Sequence, residues 1–142
     1  MKNQFIGTVK TKIKAKPSKV WDALTKPELI KQYFFGTDAI SDWKVGSPLI
    51  FRGTWEGKSY EDKGTILKSE PVKLFKYNYW SSMSGIKDEP ENYANVSYQL
   101  SPQDDGTELT IIQDNIPSEE MKKHSEKNWE IVMEAMKKLL EK

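Results

Sequence analysis

One histidine and no cysteine restrict the covalent chemistry open to this chain of 142 residues. A Ser/His/Asp or Cys/His site would have to run through His124. That residue stands beside Lys122 and Lys123 at the edge of a helical apolar stripe, a setting that suits a solvated imidazole better than a general base. Thiolate ligands and thiol nucleophiles are absent, and no His/carboxylate cluster at ligand spacing accompanies His124. Asp38 and Asp42 are close in sequence, but they fall in a strand or turn where carboxylates face water, and Glu61 and Asp62 adjoin a Gly-Lys hairpin. Gly46, Gly53, Gly57, Gly64 and Gly85 are too scattered to cradle a phosphate. Arg52 takes the parity opposite to Phe51 and Trp55, which points it outward. No catalytic constellation, cofactor site or metal site emerges. A binding role is read ahead of an enzymatic one, and any turnover is expected to be independent of His124.

Aromatic surface is what the sequence holds in abundance. Five Trp, six Tyr and five Phe in so short a chain must line a core, a cavity or both. Phe51 and Trp55 share the inward parity of one strand, and Tyr98 marks another. On the last helix Met121, Val132, Met136, Leu139 and Leu140 form an apolar stripe, with Trp129 on it. Ser125 interrupts the middle of that stripe and Asn128 lies just off its centre. A buried polar group without a partner costs about 1–3 kcal/mol. Both residues therefore bond to the helix backbone, the sheet or a water, or else they face a cavity and orient a ligand. Phe51, Trp55, Tyr98, Ser125, Asn128 and Trp129 are the ligand-binding candidates, with plain core packing as the alternative for each aromatic.

The elements that must position these residues follow from periodicity. Phe5 to Ala15 alternates, with Phe5, Val9, Ile13 and Ala15 on one face and Lys10, Lys12 and Lys14 on a wet one. Pro17–Phe35 carries Val20, Trp21, Leu24, Leu29, Ile30, Tyr33 and Phe34 at three-and-four spacing. Pro17 opens one short helix and Lys26-Pro27 separates it from a second. Strands are then expected at Asp38–Lys44, Leu49–Glu56, Tyr60–Ser69 (after a Gly57-Lys58 hairpin) and Leu74–Trp80. Further strands follow around Val96, Tyr98 and Leu100, and at Leu109–Gln113. Ser81–Asn92 is the longest loop and the expected mobile entrance to any cavity. A helix from Ser118 closes the chain, with Ser118 as N-cap and Glu119 and Glu120 in its first turn.

Size and charge exclude several classes. The length fits one domain over residues 1–142, large enough for a core without disulfides. Net charge is +1, from 22 basic and 21 acidic residues, which speaks against a nucleic-acid footprint or an anionic membrane surface. The N-terminal MKNQFIGTVK lacks a signal-peptide core, and no apolar run approaches the ~18 residues of a membrane span. A cytoplasmic protein without membrane insertion is expected.

Several segments carry a family resemblance: Pro17-Ser18-Lys19-Val20-Trp21-Asp22-Ala23-Leu24-Thr25, then Asp42-Trp43-Lys44-Val45-Gly46-Ser47-Pro48-Leu49-Ile50-Phe51-Arg52. Gly64-Thr65-Ile66 leading to Glu70-Pro71 and Leu74, and Asp105-Gly106-Thr107-Glu108-Leu109-Thr110, continue it in order. The chain resembles the START-like (SRPBCC) helix-grip superfamily, which includes birch-pollen allergen and polyketide cyclases. Within it these segments resemble the bacterial AHSA-type branch, related to the activator of the heat-shock chaperone ATPase. Ser47 departs from the pattern, where a second glycine is common. The resemblance implies an α+β helix-grip fold of order β-α-α-β-β-β-β-β-β-α, in which a curved antiparallel sheet of six to seven strands wraps a long C-terminal helix. It also implies a hydrophobic small molecule held between sheet and helix. Cyclase or hydrolase activity, or association with a chaperone, are the alternatives. The co-chaperone that names the branch has an additional N-terminal domain to which no stretch of this sequence corresponds.

Overall fold

A computed structural model describes residues 5–34, 36–81 and 87–141, apart from the side chain of Trp55. Seven strands form one antiparallel sheet: β1 (Phe5–Ile13), β2 (Asp38–Ser41), β3 (Pro48–Trp55), β4 (Lys58–Glu70), β5 (Leu74–Trp80), β6 (Ala94–Gln103) and β7 (Gly106–Ile116). Their spatial order is β1-β7-β6-β5-β4-β3-β2. Two short helices, α1 (Pro17–Thr25) and α2 (Pro27–Tyr33), carry the chain from β1 at one edge to β2 at the other. A meander then returns strand by strand until β7 pairs with β1. The long helix α3 (Glu119–Leu140) completes the expected α+β helix-grip arrangement.

Each element has a local cause. Pro17 and Pro27 open α1 and α2 because a fixed φ and a missing N–H cost nothing in a first turn. The Tyr33 hydroxyl donates to the Ala23 carbonyl at 2.8 Å, which locks the second short helix against the first. Glu56 (φ 50°) and Gly57 (φ 79°) form the two-residue turn between β3 and β4, one position earlier than the Gly57-Lys58 hairpin expected from sequence. Two positive φ values are what a right-twisted hairpin of this length requires. Bulges at Leu67 in β4 and near Asn115 (φ 56°) in β7 bend the sheet into its concave form. On β1 the lysines are exposed as expected, with Lys10 facing Glu108 and Lys12 facing Asp105.

The core lies between the concave face, α1, α2 and the C-terminal half of α3. Val20, Leu49, Ile66, Phe75, Leu109 and Met136 are among its fully buried side chains. Ser118 Oγ accepts from the Met121 N–H, so α3 starts where the capping residue is read. Its buried stripe is Val132, Met133 and Met136. Met121, in phase with that stripe, is 54% exposed. The reason is geometric: the first turns of α3 stand off the sheet, so an inward phase there meets open space. Two carboxylates of α3 fasten it to edge strand β1. Glu126 accepts from the Thr8 N–H at 2.9 Å and Glu141 from the Lys14 N–H at 2.8 Å. The helix covers about 22 Å between these glutamates and the strand about 20 Å between its two amides, so the pair runs parallel and in step.

Candidate functional site

Where α3 stands off the sheet, a cavity of about 760 Å³ opens between its N-terminal half and the inner face of β3 to β7. That is the size of a small-molecule pocket rather than a packing void. Phe51, Tyr77, Tyr79 and Trp129 supply most of its aromatic wall, and Phe34, from the end of α2, reaches in beside them. Phe34 stacks on Phe51 (centroids 5.9 Å apart) and meets Trp129 edge-on at 6.1 Å. These ring contacts each contribute about 0.5–1.5 kcal/mol beyond area burial and fix the rings' angles.

Gly53 permits a further wall. It sits directly opposite Tyr60, and a Cβ there would lie 2.5 Å from the Tyr60 hydroxyl oxygen. Its absence lets Tyr60 fold across the strand, where its hydroxyl bonds to Thr37 Oγ1.

Of the residues singled out from sequence, Phe51, Ser125, Asn128 and Trp129 line the cavity together. Tyr98 does not. It lies one layer deeper, 5% exposed, with its hydroxyl 2.7 Å from that of Tyr77 and its ring edge-on to Trp129. Tyr98 shares the inward parity, but the neighbouring rings cover it. The side chain of Trp55 lies outside the described residues, as do residues 82–86 of the expected entrance loop. Ser125 bonds to the sheet and also faces the cavity: its hydroxyl donates to Gln113 Oε1 at 3.0 Å. Asn128 reaches His124 Nε2 at 3.3 Å, and both are exposed on the rim.

Gln113 is the residue that the sequence reading did not single out. Its Oε1 accepts from Ser125 and also from Trp129 Nε1 at 2.9 Å. The signal for it was present, since Gln113 shares the inward parity of Leu109 and Ile111, where an amide must find partners. The rim opposite α3 is tied down as well. Asp88 accepts from Lys63 at 2.5 Å and from the Tyr93 hydroxyl at 2.6 Å, and these bonds hold its carboxyl below the usual range. Asn115 Nδ2 donates to the carbonyls of Glu91 and Tyr93.

Burial pushes the hydroxyls of Tyr33, Tyr77 and Tyr98 well above their ordinary pKa. Tyr79 rises to about 12, first through burial and then through the negative charge of Asp62, against a lowering bond from Gln113. In the unfolded chain all four ionise near 10, so above that pH the unfolded state has given up protons that the folded state keeps. Stability is therefore expected to be intact below pH 10 and to fall as pH rises towards 12. Tyrosinate absorbance should appear together with loss of structure. Titration of all six tyrosines near pH 10 in a chain that stays folded would contradict this.

Among the described residues no group of three or more His, Asp or Glu side chains is placed to hold a metal. No helix among them is long and apolar enough to cross a membrane.

Comparison with known proteins follows the same lines. The family model described as "Activator of Hsp90 ATPase homolog 1-like protein" matches residues 14–141. The solution structure of ChR145 from Cytophaga hutchinsonii is 46% identical and superposes with a TM-score of 0.86, over 99% of this chain and 97% of that one. MLL2253 from Mesorhizobium loti (23% identity, 96% and 97% covered, TM-score 0.79) shares the fold. So does the Aha1 dimer from Colwellia psychrerythraea (20% identity, 96% of both chains, TM-score 0.76). No curated protein matches the sequence.

Proposed function

The chain belongs to the Activator of Hsp90 ATPase homolog 1-like family, and we propose that it binds an apolar, ring-containing small molecule between the sheet and α3. The cavity of about 760 Å³ carries this reading. Its surface is mainly apolar, with aromatic rings and polar side chains both among its lining, which is how sites for small hydrophobic ligands are built. Phe51 and Trp129 offer ring faces, while Ser125 and Asn128 stand at the polar side. A concave site of this volume supports a ligand-holding role, the reading placed ahead of a chaperone-associated one.

Flavonoid, polyketide, fatty-acid and sterol compounds, screened by tryptophan fluorescence and amide chemical shifts, test the proposal. Shifts are expected on the N-terminal half of α3 and on the inward positions of β3, β5 and β7. Ser125→Leu, which puts an apolar branch into the cavity, should weaken binding by about tenfold, equivalent to ~1.4 kcal/mol. Trp129→Ala is a poorer test, because it also removes the ring's packing on Phe34 and Tyr98 and its bond to Gln113. If no compound class moves these residues, the cavity is not a binding site.

A further inference from the structure

Gln113 pairs directly with Val96 of β6, which is fully buried, so both side chains take the inner face of the sheet, and Gln113 lines the cavity. An indole N–H only donates, so the Gln113 atom 2.9 Å from Trp129 Nε1 is the carbonyl oxygen. The same oxygen takes the Ser125 hydrogen at 3.0 Å. Two donors from α3 on one oxygen settle which way the amide is turned, a choice that side-chain shape alone leaves open. Nε2 is the other end, and it carries two hydrogens. No described residue makes a hydrogen bond with it at ordinary distance. A longer contact with the Tyr79 hydroxyl would engage one hydrogen and leave the second. Among the described residues no buried side-chain nitrogen or oxygen lacks a partner. Nε2 is therefore not shut away, and the space it opens into is the cavity that its side chain lines.

We infer that the cavity recognises an uncharged ring compound through one acceptor oxygen, a carbonyl by class, that takes a hydrogen from Gln113 Nε2. This rests on the cavity being a binding site. A carbonyl fits because it accepts and has nothing to donate. An apolar ring without an acceptor would strip water from the N–H and return nothing. A carboxylate accepts as well, but no lysine or arginine is among the described residues that line the cavity, while the carboxylate of Asp62 is. An anionic ligand would shed its water there without a cation to take its place. Trp129 and Ser125 hold the far end of the amide, so the N–H is aimed before a ligand arrives. A donor fixed in that way discriminates against an analogue that lacks the acceptor.

Four naphthalene probes of similar shape separate the contributions, each titrated against the full chain by amide chemical shifts: 2-acetylnaphthalene, 2-isopropylnaphthalene, 1-(2-naphthyl)ethanol and 2-naphthoate. Gln113→Met keeps the length of the side chain and deletes the donor. The Kd ratio of ketone to hydrocarbon should rise roughly three- to tenfold in this variant, the range of one hydrogen bond. Any shift of the Trp129 wall acts on both probes and cancels in that ratio. Gln113→Glu keeps an oxygen for Trp129 and Ser125 and puts an acceptor where Nε2 stood. There the alcohol, which can donate, should gain on the ketone by about tenfold relative to wild type, as a hydrogen bond to a charged group allows. A residue that merely braced Trp129 and Ser125 would move neither ratio. Naphthoate should bind more weakly than the ketone to wild type. Unchanged ratios in both variants overturn the inference while leaving the cavity a binding site. Naphthoate binding as tightly as the ketone overturns the exclusion of anions. If neither ketone nor hydrocarbon shifts the cavity residues of wild type, the binding reading itself fails and this inference with it. Should one variant not fold, the ratio in the other decides the matter.

Discussion

Gly64→Ala is expected to destabilise the fold by about 3 kcal/mol, a large effect for one methyl group on a strand. Gly64 is paired across β4 and β5 with Tyr79. A Cβ built on it would lie 1.6 Å from the Asn78 carbonyl oxygen and 2.9 Å from Tyr79 Cα. Both are backbone atoms, so no rotamer change relieves the clash and the two strands must part. The Asn78 side chain also accepts from the Thr65 N–H at 2.8 Å, next to that close approach. Denaturant unfolding should show a lower midpoint at unchanged slope. A loss below about 1 kcal/mol would mean that the strands separate easily there, and the close approach would lose its importance. Because Tyr79 moves with β5, the variant should also disturb the cavity wall.

Phe75→Ala should cost about 3–5 kcal/mol. Phe75 is 1% exposed and is ringed by aromatics: Trp21 edge-on at 6.1 Å, Tyr98 stacked at 6.1 Å, and Trp43 and Tyr77 tilted against it. Rings of that size held at fixed angles cannot close over the space of a deleted phenyl. The large cavity term for this site follows from that rigidity. Tyr77 and Tyr98 carry the disturbance upward into the cavity floor, so amide shifts should reach β5 and β6. A loss under about 1.5 kcal/mol would show that the cluster collapses freely and is softer than its geometry suggests.

The architecture is legible in the sequence because its periodicities do not compete. Val9 and Ile13 oppose Lys10 and Lys12, Pro17 and Pro27 mark two helix starts, and Ser118 caps a third. The site is legible only to the level of which face a residue takes. Parity puts Phe51 and Tyr98 inward alike, but it says nothing of depth, and Tyr98 ends beneath the cavity with its hydroxyl on Tyr77. Helical phase groups Met121 with Val132, yet where a helix parts from its sheet depends on the bends at Leu67 and Asn115. Those bends are backbone events that no apolar pattern announces. Gln113 stands between these cases. Its polarity among Leu109 and Ile111 is visible in the sequence, but the partners that make it a hub come from α3, beyond the end of its own strand.

The two glutamates that hold α3 against β1 bear on how this molecule behaves in company. An outermost strand with free amides is an adhesive rim, ready to accept a strand from another copy. Glu126 and Glu141 occupy such amides near either end of β1, so the helix stands where an eighth strand would dock. The opposite rim, β2, is only four residues long and offers little purchase. Lifting α3 off the sheet would therefore also bare the long rim. The fastening that shapes the cavity thus also guards a strand edge against pairing, so that the closure of this edge depends on the seating of the helix.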